Sequence, residues 1–286
     1  MLGPLLAFGS ALSWSAANVA VQASSRRFGS WGALISAQLV GGALATVLAL
    51  ALEPWRPPEL GLLPLVIGAG LAAALAYRGL FEALRGGQVG VVTPIISAWA
   101  IVSVGLGLVM GTPLSRLGAL GVLLVALGNG LVARTGSGGQ GTEEERSTSR
   151  AAIAWALGAA LGFGTMVPLI DRLGTSLGRL WTIPWVWAAE LLLIVPWVVA
   201  RGAVQAWPRT LRDWWITARS GVFEVGGFVA LTLALALSPL AVVSPISSLS
   251  TALSVLLGLV LLRERLRPVT LAGAALASVG VVVVNL

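Results

Sequence analysis

The chain contains no cysteine, no histidine and no lysine, and only one tyrosine. Without cysteine there can be no disulfide, thiolate nucleophile or cysteine metal cage. Without histidine the commonest general base and metal ligand is gone. Charge of any kind is scarce: 10% of the residues are charged, where a soluble domain carries about 25%. The acids are not clustered within the apolar runs, and GSGGQG and GGQVG lack the flanking lysine or strand–helix context of a phosphate loop. With no acid/base pair, nucleophile or metal cage, enzymatic activity is not expected, and neither is a cofactor or a metal.

What remains is apolar. Hydrophobic residues make up 57% of the 286, in runs of about 20, each long enough to cross a hydrocarbon layer of about 30 Å as a helix. Ten such spans are expected, at roughly 2–22, 32–52, 61–84, 89–111, 114–134, 151–170, 180–200, 216–237, 240–262 and 267–286. The first lacks a basic leader and reads as a span, not a cleaved signal. The fold class is therefore an all-α, multi-pass protein of the plasma (inner) membrane. The lipid bilayer is its first partner; the monomer is the expected state. The net charge of +7 does not point to nucleic acid, because the 18 arginines are spread over many joints, as anchors at a lipid surface would be.

The chain also resembles itself. Residues 83–109 lie over 234–260 with a shift of 151 and no gap, and 13 of the 27 positions are identical, Pro94/Pro245 and Ser97/Ser248 among them. One residue further out of step, Gly121 meets Gly273 and Gly128 meets Gly280; near the start of each half, Leu12 and Trp14 meet Leu161 and Phe163. This gives two five-helix repeats, 1–134 and 151–286, joined by a Gly/Ser-rich linker at 135–150. Five is odd, so the second repeat must enter the membrane from the opposite side, and inverted repeats of this kind imply a transporter. Thirteen arginines fall in the joints on one side and four on the other. By the positive-inside rule that places both termini outside.

Polar residues in a span are costly, so their positions are informative. Ser244, Ser247, Ser248, Thr251 and Ser254 form one stripe in the ninth span; Thr93, Ser97 and Ser103 form its counterpart in the fourth, and Ser10, Ser13 and Asn18 lie in the first. Small hydroxyl residues also let helices pack closely, but matched stripes favour a shared polar cavity. Trp14 and Trp99 sit beside these stripes and offer flat apolar walls. Pro94 and Pro245 occupy equivalent positions as structural kinks, each five residues into its span. Glu190 lies mid-span and Glu224 lies inside the eighth span. Both are candidates for proton coupling, because a carboxyl taken out of water is costly to keep charged. Glu82 follows Arg78 by four residues, the spacing of an ion pair on one helix face.

Residues 77–109 and, more clearly, 234–284 are similar to the EamA domain of the drug/metabolite transporter superfamily. The resembling marks are the SPISS segment at 244–248, the LRERL corner at 262–266 and the final small-residue helix with Gly273 and Gly280. The resemblance covers both halves. It implies ten helices in two inverted repeats, alternating access around a central cavity, and secondary export of a small metabolite. Amino acids are among the family's substrates, including the aromatic ones handled by YddG-type exporters. It also implies cavity walls from the first, third, fourth, sixth, eighth and ninth spans, which carries over to Trp14, Asn18, Tyr77, Trp99, Ser244 and Ser248 as substrate-binding residues. Two points depart from the family. The first-half counterpart of the Glu264 corner reads Met110-Gly111-Thr112-Pro113, and the family's cytoplasmic termini run against the arginine count. A small-cation or drug exporter, or a lipid-linked flippase, is the alternative on the same scaffold.

Overall fold

Long runs of leucine, alanine and valine in lipid must satisfy their own backbone polar groups, and a helix does so within one segment. The structure, a computed structural model, describes residues 2–109, 115–136, 148–238, 243, 246–247 and 249–284, and its regular elements are all helical. They are α1 (Leu2–Leu52), α2 (Leu63–Gly86, entered through a 3-10 turn at Leu60–Leu62), α3 (Val89–Ile96), α4 (Trp99–Val109), α5 (Arg116–Gly136), α6 (Arg150–Leu177), α7 (Arg179–Ala200), α8 (Leu211–Leu237), α9 (Ser250–Leu261) and α10 (Pro268–Val284). Among the described residues, five helical stretches are long and apolar enough to cross a membrane: those beginning at Leu2, Leu60, Arg150, Arg179 and Leu211. Large apolar side chains such as Leu71, Leu192, Val199 and Val260 point outward, where lipid would lie.

α1 holds 51 residues, about 76 Å at 1.5 Å per residue. It is two spans folded back on each other at Gly29, whose φ of 71° and ψ of 166° are open to glycine alone. The expected joint at Ser24–Arg27 is helical, and the turn comes two residues later. The same device recurs at Gly178 (φ 89°, ψ 148°) between α6 and α7. The two glycines are 149 residues apart, the shift by which Leu12 meets Leu161. A Cβ on Gly29 would strike Gln205, and one on Gly178 would strike Glu53.

The fourth span, read as continuous from 89 to 111, is broken into α3 and α4 at Ser97–Ala98. Pro94 lies inside α3 and has no N–H to continue the ladder; the helix ends after Ile96, with Ser97 Oγ donating to the Pro94 carbonyl. Pro168 lies within α6, and Pro184 and Pro196 within α7.

Glycine contacts show how the halves are related. A Cβ on Gly128 of α5 would lie 2.5 Å from the Gly273 carbonyl oxygen of α10, and one on Gly280 would lie 2.9 Å from the Gly121 carbonyl oxygen. Going up α5 from 121 to 128 is therefore going down α10 from 280 to 273, and the two helices are antiparallel. Because these glycines are repeat partners, exchanging the halves maps the pair onto itself. The same exchange turns the α2–α6 contact into the α8–α1 contact, and these are two of the main interfaces of the molecule. The repeats are inverted.

Candidate functional site

α1, α2, α7 and α8 meet at the centre. Glu190 is the twelfth of the 22 residues of α7 and Glu224 the fourteenth of the 27 of α8, so both carboxyls lie at mid-depth. Ser220, Glu224 and Phe228 follow at steps of four and share one face of α8. On α2, Tyr77, Leu80 and Phe81 do the same at steps of three and four. Together with Val21, Gln38 and Trp187, the Ser220–Glu224 turn and these α2 residues line one cavity. It measures about 20 Å³ at the centre of a water-sized sphere, room for one water or so and not for a metabolite.

The polar groups are bonded to one another. Tyr77 Oη donates to Glu224 Oε1 at 3.0 Å. Gln38 Nε2 donates to Glu190 Oε2 at 2.9 Å. Two buried acceptors are left over: Gln38 Oε1 and Glu190 Oε1 have no partner. Aromatic rings surround this cluster. Trp14 packs edge-on to Phe228 (5.4 Å between centroids), Phe228 to Trp187 (6.5 Å), Trp187 to Tyr77 (5.9 Å) and Tyr77 to Phe163 (5.3 Å). The five rings run in one unbroken edge-to-face series.

Among the described residues no arginine pairs with Glu190 or Glu224. Arg78, next to Tyr77, turns away: it pairs with Glu82 and stacks on Trp31 at 3.9 Å. Glu82 is shared with Arg85 at 2.8 Å, so the i,i+4 pair is half of a triad.

The other residues singled out in the sequence lie elsewhere or unseen. Asn18 donates to Ser254 Oγ at 3.0 Å in the α1–α9 seam, beside the Ser10–Ser247 bond at 2.9 Å. Trp14 packs its indole nitrogen edge close to Gly227 and touches Phe228, which shares the Glu224 face of α8. Trp99 begins α4 with its carbonyl against Gly164 of α6 and does not line this cavity. Ser244, Pro245 and Ser248 lie outside the described residues. Gln38, Ser220 and the wall made by Trp187 were not singled out as site residues. Gln38 left one signal, a lone amide in the apolar run 32–52.

The arginine-rich joints gather at one end. There Gln22 Nε2 (2.9 Å) and Arg26 Nη2 (3.0 Å) donate to the Gly87 carbonyl, and Gln88 N donates to Thr148 Oγ1 at 3.1 Å. Arg27 pairs with Asp213 at 2.7 Å. Glu264 crosses over to receive Val89 N at 2.6 Å and Gly90 N at 2.8 Å, capping α3. A left-handed Arg263 (φ 53°) directs it there. A carboxylate on the free N–H groups of a helix start also meets the positive end of its dipole. At the opposite end Glu53 receives Leu180 N at the start of α7 at 3.3 Å, and Trp55 packs on Trp181 and Trp185.

Removing the cap has a measurable consequence. Glu264→Ala is expected to lower stability by about 1–2 kcal/mol, read as a fall of several degrees in the melting midpoint, with Glu264→Gln between it and the parent. A midpoint unmoved in both variants would show that the cap contributes nothing.

The model of the EamA-like transporter family matches residues 1–134 and 150–286. No curated protein matches. One solved crystal structure is 18% identical over 99% of this chain and 95% of its own, with a TM-score of 0.59. At that identity the likeness is one of fold.

Proposed function

We propose, because this chain belongs to the EamA-like transporter family, that it is a secondary transporter exporting a small organic metabolite by alternating access through the cavity between its halves. Amino acids, aromatic ones included, are the first candidates. The observation that carries this reading is the cavity itself. Residues from both repeats bring a hydroxyl, an amide and two carboxyls together at mid-membrane, where such groups are costly unless used. The ring series from Trp14 to Phe163 gives an apolar ring or alkyl group a face to slide along.

Closure at both ends suits the same reading. The space at the centre is too small for a metabolite, so transport requires one end to part. At the arginine end this breaks the bonds to Gly87 and Glu264; at the other it breaks Glu53 from Leu180. The two glycine turns are placed to absorb the backbone rotation, one in each repeat.

The experiment is solute flux into liposomes holding the purified chain, across a panel of amino acids and other amphiphilic metabolites, under proton and solute gradients. Flux at least tenfold above empty liposomes for one or more of them is expected. No flux of any, under every gradient, would overturn the reading.

A further inference from the structure

One arginine of α8 has no counter-charge. Arg219 is the ninth of the 27 residues of the helix, about 12 Å in from its start at 1.5 Å per residue. It is half-buried, its Nε is enclosed without an acceptor, and no carboxylate among the described residues pairs with it. A lone charge inside a span is costly. Its surroundings show what would offset it. Arg212, Trp215, Arg219 and Val222 follow at steps of three and four, along one face of the helix. That face is uncovered: Leu211, Trp215 and Val222 are 91%, 66% and 41% exposed, and Arg212 is exposed as well. The acids of α8 are engaged elsewhere. Asp213 is buried against Arg27 and the Thr210 N–H, and Glu224 accepts from Tyr77. Further in, α1 closes the face: Ser13 Oγ donates to the Phe223 carbonyl at 2.6 Å, and a Cβ on Gly226 would lie 2.9 Å from that Oγ. What is left is a strip about three turns long, with two positive charges, no negative one, and apolar side chains at its inner end.

We infer that this face of α8 seats one anionic phospholipid, its phosphate held by Arg219 and Arg212 and its chains laid over Val222 and Phe223. The inference needs only the membrane, not the solute. A helical side chain leans toward the N-terminus of its helix, so the Arg219 guanidinium reaches up toward Trp215 while its stem stays among apolar neighbours. Trp215 suits the headgroup level between the two arginines. Arg212 lies two turns above Arg219, about 10 Å along the axis, and each guanidinium can give a phosphate a pair of N–H bonds. Charge then decides the headgroup. Phosphatidylcholine carries the same phosphate with a cation attached, and that cation would meet two arginines and no acid. Phosphatidylglycerol has no such cation and keeps its full negative charge for the strip. Ser220 and Glu224 face the central cavity from the other side of α8, so lipid and solute do not compete for one place.

The test is native mass spectrometry of the full chain in detergent, with phosphatidylglycerol and phosphatidylcholine of equal chain length added together. The monomer is expected to retain phosphatidylglycerol at least fivefold over phosphatidylcholine. Arg219→Gln is expected to remove that preference. Arg212→Gln is expected to lower it at least twofold; Arg212 is exposed, so this variant serves if Arg219→Gln does not fold. Arg267→Gln changes an exposed arginine at the same end but outside this face, and is expected to keep the preference. Equal retention of the two lipids by the parent would overturn the inference. So would a loss in Arg267→Gln as large as that in Arg212→Gln, which would leave only a general attraction of the arginine-rich end for anionic surfaces. Displacement of phosphatidylglycerol by inorganic phosphate would assign the two arginines to a soluble anion instead. A dimer that carries no lipid would give the face to a second copy of the chain.

Discussion

Gly162→Leu is expected to abolish folding: recovery of monodisperse protein should fall at least tenfold, while Gly158→Leu, one turn away on the same helix, should change it little. A Cβ on Gly162 would lie 2.3 Å from the Ala76 backbone nitrogen and 2.6 Å from its Cα, and neither atom can move without the helix. A Cβ on Gly158 would meet only the tip of Leu75, at 3.9 Å. In lipid there is no hydrophobic force between helices, so small residues that let backbones touch supply much of the association. Separating α2 from α6 there would also displace Tyr77, the neighbour of Ala76, and with it the bond to Glu224. Size-exclusion profiles of the two variants decide the matter. Equal recovery would mean that the close α2–α6 approach is not what holds the halves together.

The second large effect separates holding from working. Glu190→Leu alone leaves the Gln38 amide buried without an acceptor, and a buried donor left unsatisfied costs about 1–3 kcal/mol. Glu190→Leu with Gln38→Leu removes both, and replacing such a pair by apolar groups of similar size is often neutral or stabilising. The double variant is therefore expected to melt at or above the parent midpoint and to lose transport at least a hundredfold. If Glu190 served only to join α7 to α1, the double variant would be stable and active. The two roles give opposite readings in one liposome assay.

Much of the fold was legible in the sequence because a duplication leaves its own trace. The 151-residue shift and the glycine pairs 121/273 and 128/280 already fixed two repeats, and the odd span count made them inverted; the α5–α10 contacts show the same relation in space. The breaks were less legible. Gly29 falls between the first two expected spans, but nothing in hydropathy distinguishes it from Gly32 as the turning residue; only its backbone angles do. Ser97–Ala98 is likewise apolar on both sides.

The candidate site was half legible, for a reason peculiar to membranes. Lipid is as apolar as a core, so periodicity does not tell the inward face from the outward one. Only residues too costly for lipid stand out. Glu190, Glu224 and Tyr77 did, and they lie in or beside one cluster. Trp187 is as buried as Trp181 and no rarer than ten other tryptophans, so its place beside Tyr77 could not be read from the chain. Asn18 stood out for the same reason as Glu224, yet its amide is used by Ser254 in a helix seam.

The chain has no cysteine, so one introduced thiol reports on one place. Ser220 lines the central cavity and is buried. In Ser220→Cys, reconstituted and otherwise intact, a small cationic methanethiosulfonate is predicted to modify the thiol at a rate that each transported solute slows. A thiol that reacts only after denaturation, or at a rate no solute changes, would contradict a solute path between the two halves.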